Sequence, residues 1–598
     1  MKRASKETGR TIRTSEGNSS HPPSHVHAET EQKPGTLLSS SAVNILFIFC
    51  AALMVRFIFL LTLSKDPFFD SPLFDAELYS NWARSIAEGD WLGDKVFFVS
   101  PLYAYFLAVL YRIFNSQLYW VIFSQFLLGA VNCVIIYLIG RRLFGGVVGL
   151  MSGLFGALYG VFLFTEGQLL KNSLAYSLVS LSFFLLLVAR EKEKPSLWFS
   201  LGITAGLSAL VIPNVLVFIP IFYGVIIFGR RGAKGMLLRA GALSVGFLIM
   251  IFPVFLRNYS VGGDPVLISS NGGINLFLGT DPRTEGGMLT SRVIQQAPDL
   301  EEQSSTSLAE RALQKRLRPS EVSRFWYSTA VKNMTRDVSA TFQLFIKKLY
   351  RFWNWRELTD NLDFYYFRDK YPVLGIPLMN FGFMAPLSLL GLWLSRREKD
   401  KMLPALVFIT VFTAVSLPFP VFGRYRTPLI PVLMVFAAYG LWASCLRIPQ
   451  KKWKDLVPGL VIFLLAAVVI NSGNRTHNFS PMQRAMGEIY LKRGQPEKAL
   501  PEFTAAVKGA PNDFYSHNAL GQAYLETGRY GEAITAFRNA ILLYPGFTDA
   551  HYSLGLAYAV TGNREGAFEE LQKVRALDPT GERGRMMEML LLSMGNKR

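Results

Sequence analysis

Acidic residues and cysteine are scarce in this chain. Asp and Glu number 43 in 598 residues against 62 Lys and Arg, and charged residues of both signs make up only 18%. Hydrophobic residues reach 51% and aromatics 14%, more than a soluble globular protein carries, so the composition predicts an integral membrane protein. The net charge of +19 does not point to nucleic acid, because Lys and Arg stand in short clusters between apolar runs, as membrane topology requires. The three cysteines, Cys50, Cys133 and Cys445, all fall inside apolar runs, which excludes reading a disulfide framework or a zinc site from their spacing. They read as core packing. Segment 1–40 has few apolar residues to offset the entropy of ordering and reads as a disordered tail, with His21, His25 and His27 solvated in it rather than binding metal.

The run 42–63 is too long and starts too late for a signal peptide and reads as a first span. Further runs of membrane length lie at 118–140, 147–165, 168–189, 236–256, 373–394, 402–420, 428–445 and 456–471, and Pro213-Asn214 splits 197–228 into two short spans. Cations cluster at Lys2/Arg3/Lys6, Arg141/Arg142, Arg190/Lys192/Lys194, Arg230/Arg231/Lys234, Arg396/Arg397/Lys399/Lys401 and Arg447/Lys451/Lys452/Lys454. Eleven crossings with the amino terminus inside put every cluster in the cytoplasm, provided that 101–114, short and carrying Arg112, does not cross. Loops 64–100 and 257–371, the turn Gly423-Arg424-Tyr425-Arg426 and everything after Gly473 then lie on the extracytoplasmic side. Loop 257–371 carries the glycine pairs Gly262-Gly263, Gly272-Gly273 and Gly286-Gly287, a polar helical stretch near 307–340, and alternating cations and indoles from Lys347 to Trp355 that suit an interfacial helix.

From Pro481 a period of 34 residues sets in, the period of tetratricopeptide repeats. Gly487, Gly521 and Gly555 correspond, as do Tyr490, Tyr524 and Tyr558, then Gly494, Gly528 and Gly562, then Ala499, Ala533 and Ala567, with Pro511, Pro545 and Pro579 closing the units. Small residues let paired helices approach and the prolines end each pair. Such a solenoid offers a concave groove to a peptide or protein partner, or simply caps the carboxyl end; no residue in it looks catalytic.

The ionisable residues at outer span ends form a short list. Asp75 and Glu77 follow the first span, Asp90 and Asp94 lie further along the same loop, Glu166 and Lys171 flank a hairpin, Arg257 ends another span, and Arg424 and Arg426 lie between Pro420 and Pro428. A carboxylate beside the bilayer suits a general base, and the arginine fork suits a phosphate. Asp75 reads as such a base or as a helix cap, and Glu166 as a second acid or as a buried hydrogen-bonded group. Arg424 and Arg426 read as phosphate ligands or as snorkelling cations, and the same alternative holds for Lys171 and for Arg56 inside the first span.

Phe74-Asp75-Ala76-Glu77-Leu78-Tyr79, Trp82-Ala83, Gly89-Asp90-Trp91 and Ser100-Pro101-Leu102-Tyr103 together resemble the first outer loop of C-type glycosyltransferases, near the dolichyl-phosphate-mannose protein mannosyltransferases and bacterial lipid A aminoarabinose transferases. Arg141-Arg142-Leu143-Phe144-Gly145 and Arg424-Tyr425-Arg426-Thr427-Pro428-Leu429-Ile430-Pro431 are similar to recurring segments of that group. The resemblance implies inverting transfer of a sugar from a polyprenyl-phosphate donor to a protein, lipid or glycan acceptor, with Asp75 as the first-loop carboxylate. It leaves a divalent cation open, since some members of the group need one. Ala76 separates Asp75 from Glu77 where the mannosyltransferases often carry adjacent Asp-Glu, so Glu166 becomes the second catalytic candidate, and Arg424, Arg426, Lys171 and Arg257 the candidates for the donor phosphate. The expected fold is all-α: a polytopic membrane bundle over 41–478, then three tetratricopeptide repeats and a terminal helix over 479–598. The style of both parts suggests a bacterial inner membrane. The competing reading is a non-catalytic membrane scaffold whose repeats do the biological work; a lipid-linked sugar transporter ranks behind both.

Overall fold

The computed structural model describes residues 34–229, 232–281, 298–473, 477–578, 585–586 and 589. The expectations for the tail up to residue 33, Arg230/Arg231, Gly286-Gly287, Pro579 and the terminal helix lie outside those residues. Residues 1–43 and 44–598 form separate compact units; of the first, 34–43 are described and are helical, although composition assigns most of them to the tail.

The described residues hold helices and turns and no strands. The apolar runs become α1 (Pro34–Leu63), α4 (Leu118–Phe144), α7 (Asn172–Lys192), α10 (Ala233–Gly262), α18 (Ile430–Arg447) and α19 (Trp453–Ile470). Within these, α4, α7 and α18 are largely buried, whereas α1, α10 and α19 keep most of their apolar surface exposed, as helices facing lipid do. By length and composition six described helices suit a membrane crossing, seven if the bent pair α5 (Gly146–Leu158) and α6 (Gly160–Glu166) counts as one span. This is fewer than the eleven read from the sequence, and the reasons are local. The 213–217 stretch after Pro213 is a 3-10 turn dividing α8 (Pro195–Val211) from α9 (Phe218–Ile227), and both pieces are short. The run at 373–394 opens as a 3-10 turn behind Pro372, so α16 (Phe381–Leu394) holds only its second half, started by the Asn380 side chain accepting from Phe383 N–H. Helix α17 (Lys399–Ser416) begins on Lys399, Asp400 and Lys401, three charges in its first turn.

Short elements occupy the Asp75 end. α2 (Asp75–Glu88) packs on the 13-residue α3 (Leu102–Phe114), which is too short to cross. Helices α11 (Gly272–Thr280), α12 (Pro298–Leu313), α13 (Pro319–Arg336), the amphipathic α14 (Val338–Trp353) and α15 (Phe364–Lys370) follow in the long loop. Cys133 is buried, while Cys50 and Cys445 are exposed on the bundle surface, so only one of the three packs in the core.

Three helix pairs complete the chain: α20 (Ser480–Lys492) with α21 (Pro496–Gly509), α22 (Phe514–Glu526) with α23 (Tyr530–Leu543), and α24 (Thr548–Val560) with α25 (Arg564–Leu577). The repeated glycines have distinct causes. A Cβ on Gly487 or Gly521 would lie 2.6 Å from the ring of Phe503 or Phe537 on the paired helix, whereas Gly494, Gly528 and Gly562 take φ of 66°, 74° and 80° in the turn between helices. Ala499, Ala533 and Ala567 are fully buried between them.

The repeats sit directly on the membrane part. His477 stacks on Tyr365 at 4.0 Å, Phe479 meets Tyr366 edge-on at 5.8 Å, and Met482 Sδ accepts from Asp363 N–H at 3.2 Å. Arg493 reaches the Asp70 carboxylate and the Pro67 carbonyl.

Candidate active site

Asp75 opens α2, and the residue before it, Phe74, holds φ at 56°. A bulky side chain in that region costs about 1–3 kcal/mol, so the surroundings must fix the backbone there. The fixing group is Asn361, whose Oδ1 accepts from Asp75 N–H at 3.2 Å and whose Nδ2 reaches the Asp75 carboxylate at 3.4 Å. The start of α2 is thus capped from a distant loop, and the Asp75 carboxylate is free for another partner.

That partner is Arg424. Its Nη2 lies 2.6 Å from Asp75 Oδ2 and 2.6 Å from Asp360 Oδ2, and its Nε donates to Asp360 at 2.8 Å. Arg424 sits in a 3-10 turn, Gly423–Leu429, whose carbonyl at 424 accepts from Asn172 Nδ2 at 3.0 Å and Thr427 Oγ1 at 2.7 Å. Asn172 opens α7, so this bond ties the turn to the α7 end. The side chain of Lys171, immediately before, has no ion pair or hydrogen bond among the described residues, yet its charge is felt by Asp75 and Arg424.

The cluster separates its acids electrostatically. Burial pushes Asp75 upward, but the charge and hydrogen bond of Arg424, with help from Lys171 and Asn361, hold it below the usual carboxylate range. Burial also raises Asp360; there Arg424 offsets it only partly, and the Asp75 charge adds to the rise. Lys171 is pushed down to about 8, first by burial and then by Arg424. Glu301, on α12 beside α2, is pushed up to about 7 by burial and next by the charge of Asp75. Arg424 thus favours the charged form of Asp75, which can accept a proton, more than that of Asp360, and Lys171 is the cation without a carboxylate bonded to it.

The other candidates lie elsewhere. Glu166 is fully buried on Arg56, whose Nε and Nη2 meet its two oxygens at 2.7 and 2.8 Å, and Tyr176 donates to the same carboxylate. A Cβ on Gly129 would fall 2.3 Å from that carboxylate, so α4 is notched to admit it. The pair joins α1 to α6, and its partners are other than those of the Asp75 cluster. Arg426 is also buried: it donates to the carbonyls of Phe352 and Asn354 at 2.8 and 2.5 Å, pairs with Glu357 at 2.6 Å and lies 3.6 Å from the Phe381 ring centroid. Arg257 donates to the Leu92 and Lys95 carbonyls at 2.6 and 2.7 Å and stacks on Phe97, which pins loop 89–97. Neither arginine reaches the Asp75 cluster. Among the described residues no group of three or more His, Cys, Asp or Glu is placed to hold a metal, and both carboxylates nearest the site already face a guanidinium.

Asp360, Asn361 and Glu301 are absent from the expectations drawn from the sequence. Asp360-Asn361 follows the aromatic anchor at Lys347 to Trp355, a polar pair just past an interfacial helix, and that position is the signal available in the chain. The loop is held by Trp355 N–H on the Ile470 carbonyl at 2.9 Å and Gly423 N–H on the Leu358 carbonyl at 2.9 Å. Open space beside Asp360 and Arg424 is small, about 30 Å³, whereas a cavity of about 1060 Å³ is lined by the far half of α7.

The family model described as dolichyl-phosphate-mannose-protein mannosyltransferase matches residues 99–256, which include Glu166 and Lys171 but neither Asp75 nor Arg424. The tetratricopeptide-repeat model matches 484–546 and 518–582. No curated protein matches the chain. Among solved structures, the first tetratricopeptide domain of Spaghetti (RPAP3) bound to an HSP90 peptide is 17% identical, covering 21% of this chain and 100% of that one, with a TM-score of 0.20. The Arabidopsis OM64 tetratricopeptide domain is 20% identical over 19% of this chain and 95% of that one, TM-score 0.19. YrrB, a tetratricopeptide protein with an unusual peptide-binding site, is 24% identical over 34% of this chain and 95% of that one, TM-score 0.18. The chain joins a membrane segment similar to the mannosyltransferase family to carboxyl-terminal tetratricopeptide repeats.

Proposed function

We propose that this protein is an inverting membrane glycosyltransferase that takes a hexose or pentose from a polyprenyl-phosphate donor, with Asp75 as the general base. The observation that carries the reading is the Asp75–Arg424–Asp360 cluster with Lys171 beside it, an ionised acid and an uncommitted cation at one helix end. The family match over 99–256 supports the same class of chemistry.

In this reading Asp75 takes the proton of an acceptor hydroxyl, the acceptor oxygen bonds to the anomeric carbon, and the bond from that carbon to the lipid phosphate breaks. Lys171 meets the leaving phosphate. Arg424 turns from Asp360 toward it, since the raised Asp360 carboxyl gives up its ion pair most easily. The small free space beside Arg424 means that the 357–363 loop shifts when donor enters. The amino terminus lies in the cytoplasm of a bacterial cell, the cluster and the repeats face the periplasm, and the repeat groove positions a protein acceptor or assembly partner near the loop carrying Asp360.

The test is transfer of radiolabel from a panel of polyprenyl-phosphate sugars into membrane fractions, comparing the unaltered protein with Asp75→Asn at matched expression. Label incorporated only by the unaltered protein is the expected result. Equal incorporation by both removes Asp75 as base, and none from any donor moves the weight to the scaffold reading.

A further inference from the structure

The cavity of about 1060 Å³ lies at the opposite end of α7 from Lys171, between α7, α8, α9 and the start of α17. Its interior is mostly apolar, with Ser182 and Ser208 among the lining residues. Phe408 of α17 meets Phe183 at 5.3 Å and Phe218 at 5.2 Å to form one wall. Its rim is charged: Arg142 pairs with Glu191, Arg190 with Asp400 at 3.1 Å, and Lys401 stands next to Asp400.

Inside that rim three side-chain groups have no hydrogen-bond partner, Ser182 Oγ and two nitrogen donors on Arg239 and Trp198. Arg239 is 2% exposed; its Nε donates to the Gly235 carbonyl and its Nη1 stands 3.5 Å from Glu193, longer than a charge-assisted hydrogen bond, while Nη2 has no partner. Trp198 is 1% exposed and its Nε1 is likewise unpartnered. The two belong together. A Cβ on Gly202 would fall 2.3 Å from the Leu243 carbonyl, so α8 and α10 touch backbone to backbone there, and Trp198 and Arg239 lie one helical turn earlier on each. Both line the cavity. One unbonded guanidinium nitrogen and an indole N–H, both buried beside a largely apolar chamber, suit an anionic acceptor attached to a hydrocarbon chain.

We propose that this cavity binds a phosphate-headed lipid, its phosphate on Arg239 and Trp198 and its chain against Phe408. The site is separate from the Asp75 cluster, and the inference does not depend on the transferase reading. Two sources carry this chemistry, the polyprenyl phosphate carrier and bulk phosphatidylglycerol.

The full-length protein in nanodiscs is irradiated with photoreactive polyprenyl phosphate, photoreactive phosphatidylglycerol or photoreactive polyprenol, and labelled peptides are mapped. Label from either phosphate lipid within 179–239 or 400–408 is expected, and which of the two labels names the source. Arg239→Gln should cut labelling about tenfold. Because that variant can lose stability, Ala205→Phe, which fills the cavity without touching a charge, is read alongside it and should cut labelling as much. Lys171→Ala should leave it unchanged. Equal labelling by uncharged polyprenol, no label above background in these segments, or labelling indifferent to Ala205→Phe overturns the proposal.

Discussion

Asp75 and Asp360 share one guanidinium nitrogen, each 2.6 Å from Nη2 of Arg424. Two carboxylates on one cation cannot be equivalent once their burial differs. The side chain of Asp360 is 6% exposed and that of Asp75 28%, so the deeper acid carries the larger desolvation cost and the shallower one stays ionised. Because the two are coupled, the pair titrates as a unit with two apparent steps.

Asp75→Asn should lower transfer about 10²–10⁴-fold with insertion unchanged, measured as label incorporated per unit of folded protein. Asp360→Asn should behave differently. It removes a neighbouring negative charge and leaves Arg424 to Asp75 alone, so Asp75 is held further down and becomes a weaker base. The acid limb of the pH–rate profile should move to lower pH while the plateau falls about tenfold. A variant profile that overlays the original rejects the shared-cation account.

Lys171 is depressed to about 8, so its ammonium is present below that pH and is lost as pH rises through it. Donor KM should therefore rise on the alkaline side of about pH 8 with little change in kcat. Lys171→Ala should raise KM at all pH values. Lys171→Arg keeps its charge and should erase the alkaline rise, and its persistence in that variant removes Lys171 from donor binding.

The Arg56–Glu166 lock should show up in stability and not in rate. Glu166→Gln or Arg56→Met leaves one buried charge unpaired, which costs about 3–5 kcal/mol. Replacing both with Met should recover most of that, read by thermal unfolding in detergent. Folded Glu166→Gln protein should retain its kcat; a loss as large as that of Asp75→Asn would return Glu166 to the catalytic set.

In the repeats, Gly521→Val places a side chain where a Cβ already lies 2.6 Å from the Phe537 ring, an overpacking cost of about 1–3 kcal/mol. Capture of a protein partner should weaken, while transfer to a small acceptor stays unchanged. Equal loss of both would mean that the repeats help shape the site itself.

The repeats were legible because each helix pair meets the same demands every 34 residues: small at 487 and 521, left-handed at 494, 528 and 562, buried alanine at 499, 533 and 567. The Asp75 cluster was only half legible. Asp75, Lys171 and Arg424 stand at the ends of apolar runs, where a charge is conspicuous. Asp360 and Asn361 stand in a polar loop, where nothing distinguishes them until tertiary structure brings them 286 residues back to Asp75. For Glu166 the sequence left the buried hydrogen-bonded reading open but not its partner, because Arg56 lies 110 residues earlier on a different helix. The break at Pro213 was legible in the sequence, whereas the 3-10 turn behind Pro372 was not, since hydropathy does not register a missing N–H.

The distance from Asp75 to Arg424 is also a delay. The two are 349 residues apart in the chain, and at roughly 5–20 residues per second of synthesis the carboxylate waits on the order of tens of seconds for its counter-ion. During that time Asp75 has neither its Asn361 clamp nor its arginine, and the strained backbone at Phe74 has nothing to hold it. Chains that stop early therefore end with a loose first loop and an uncompensated acid beside the bilayer.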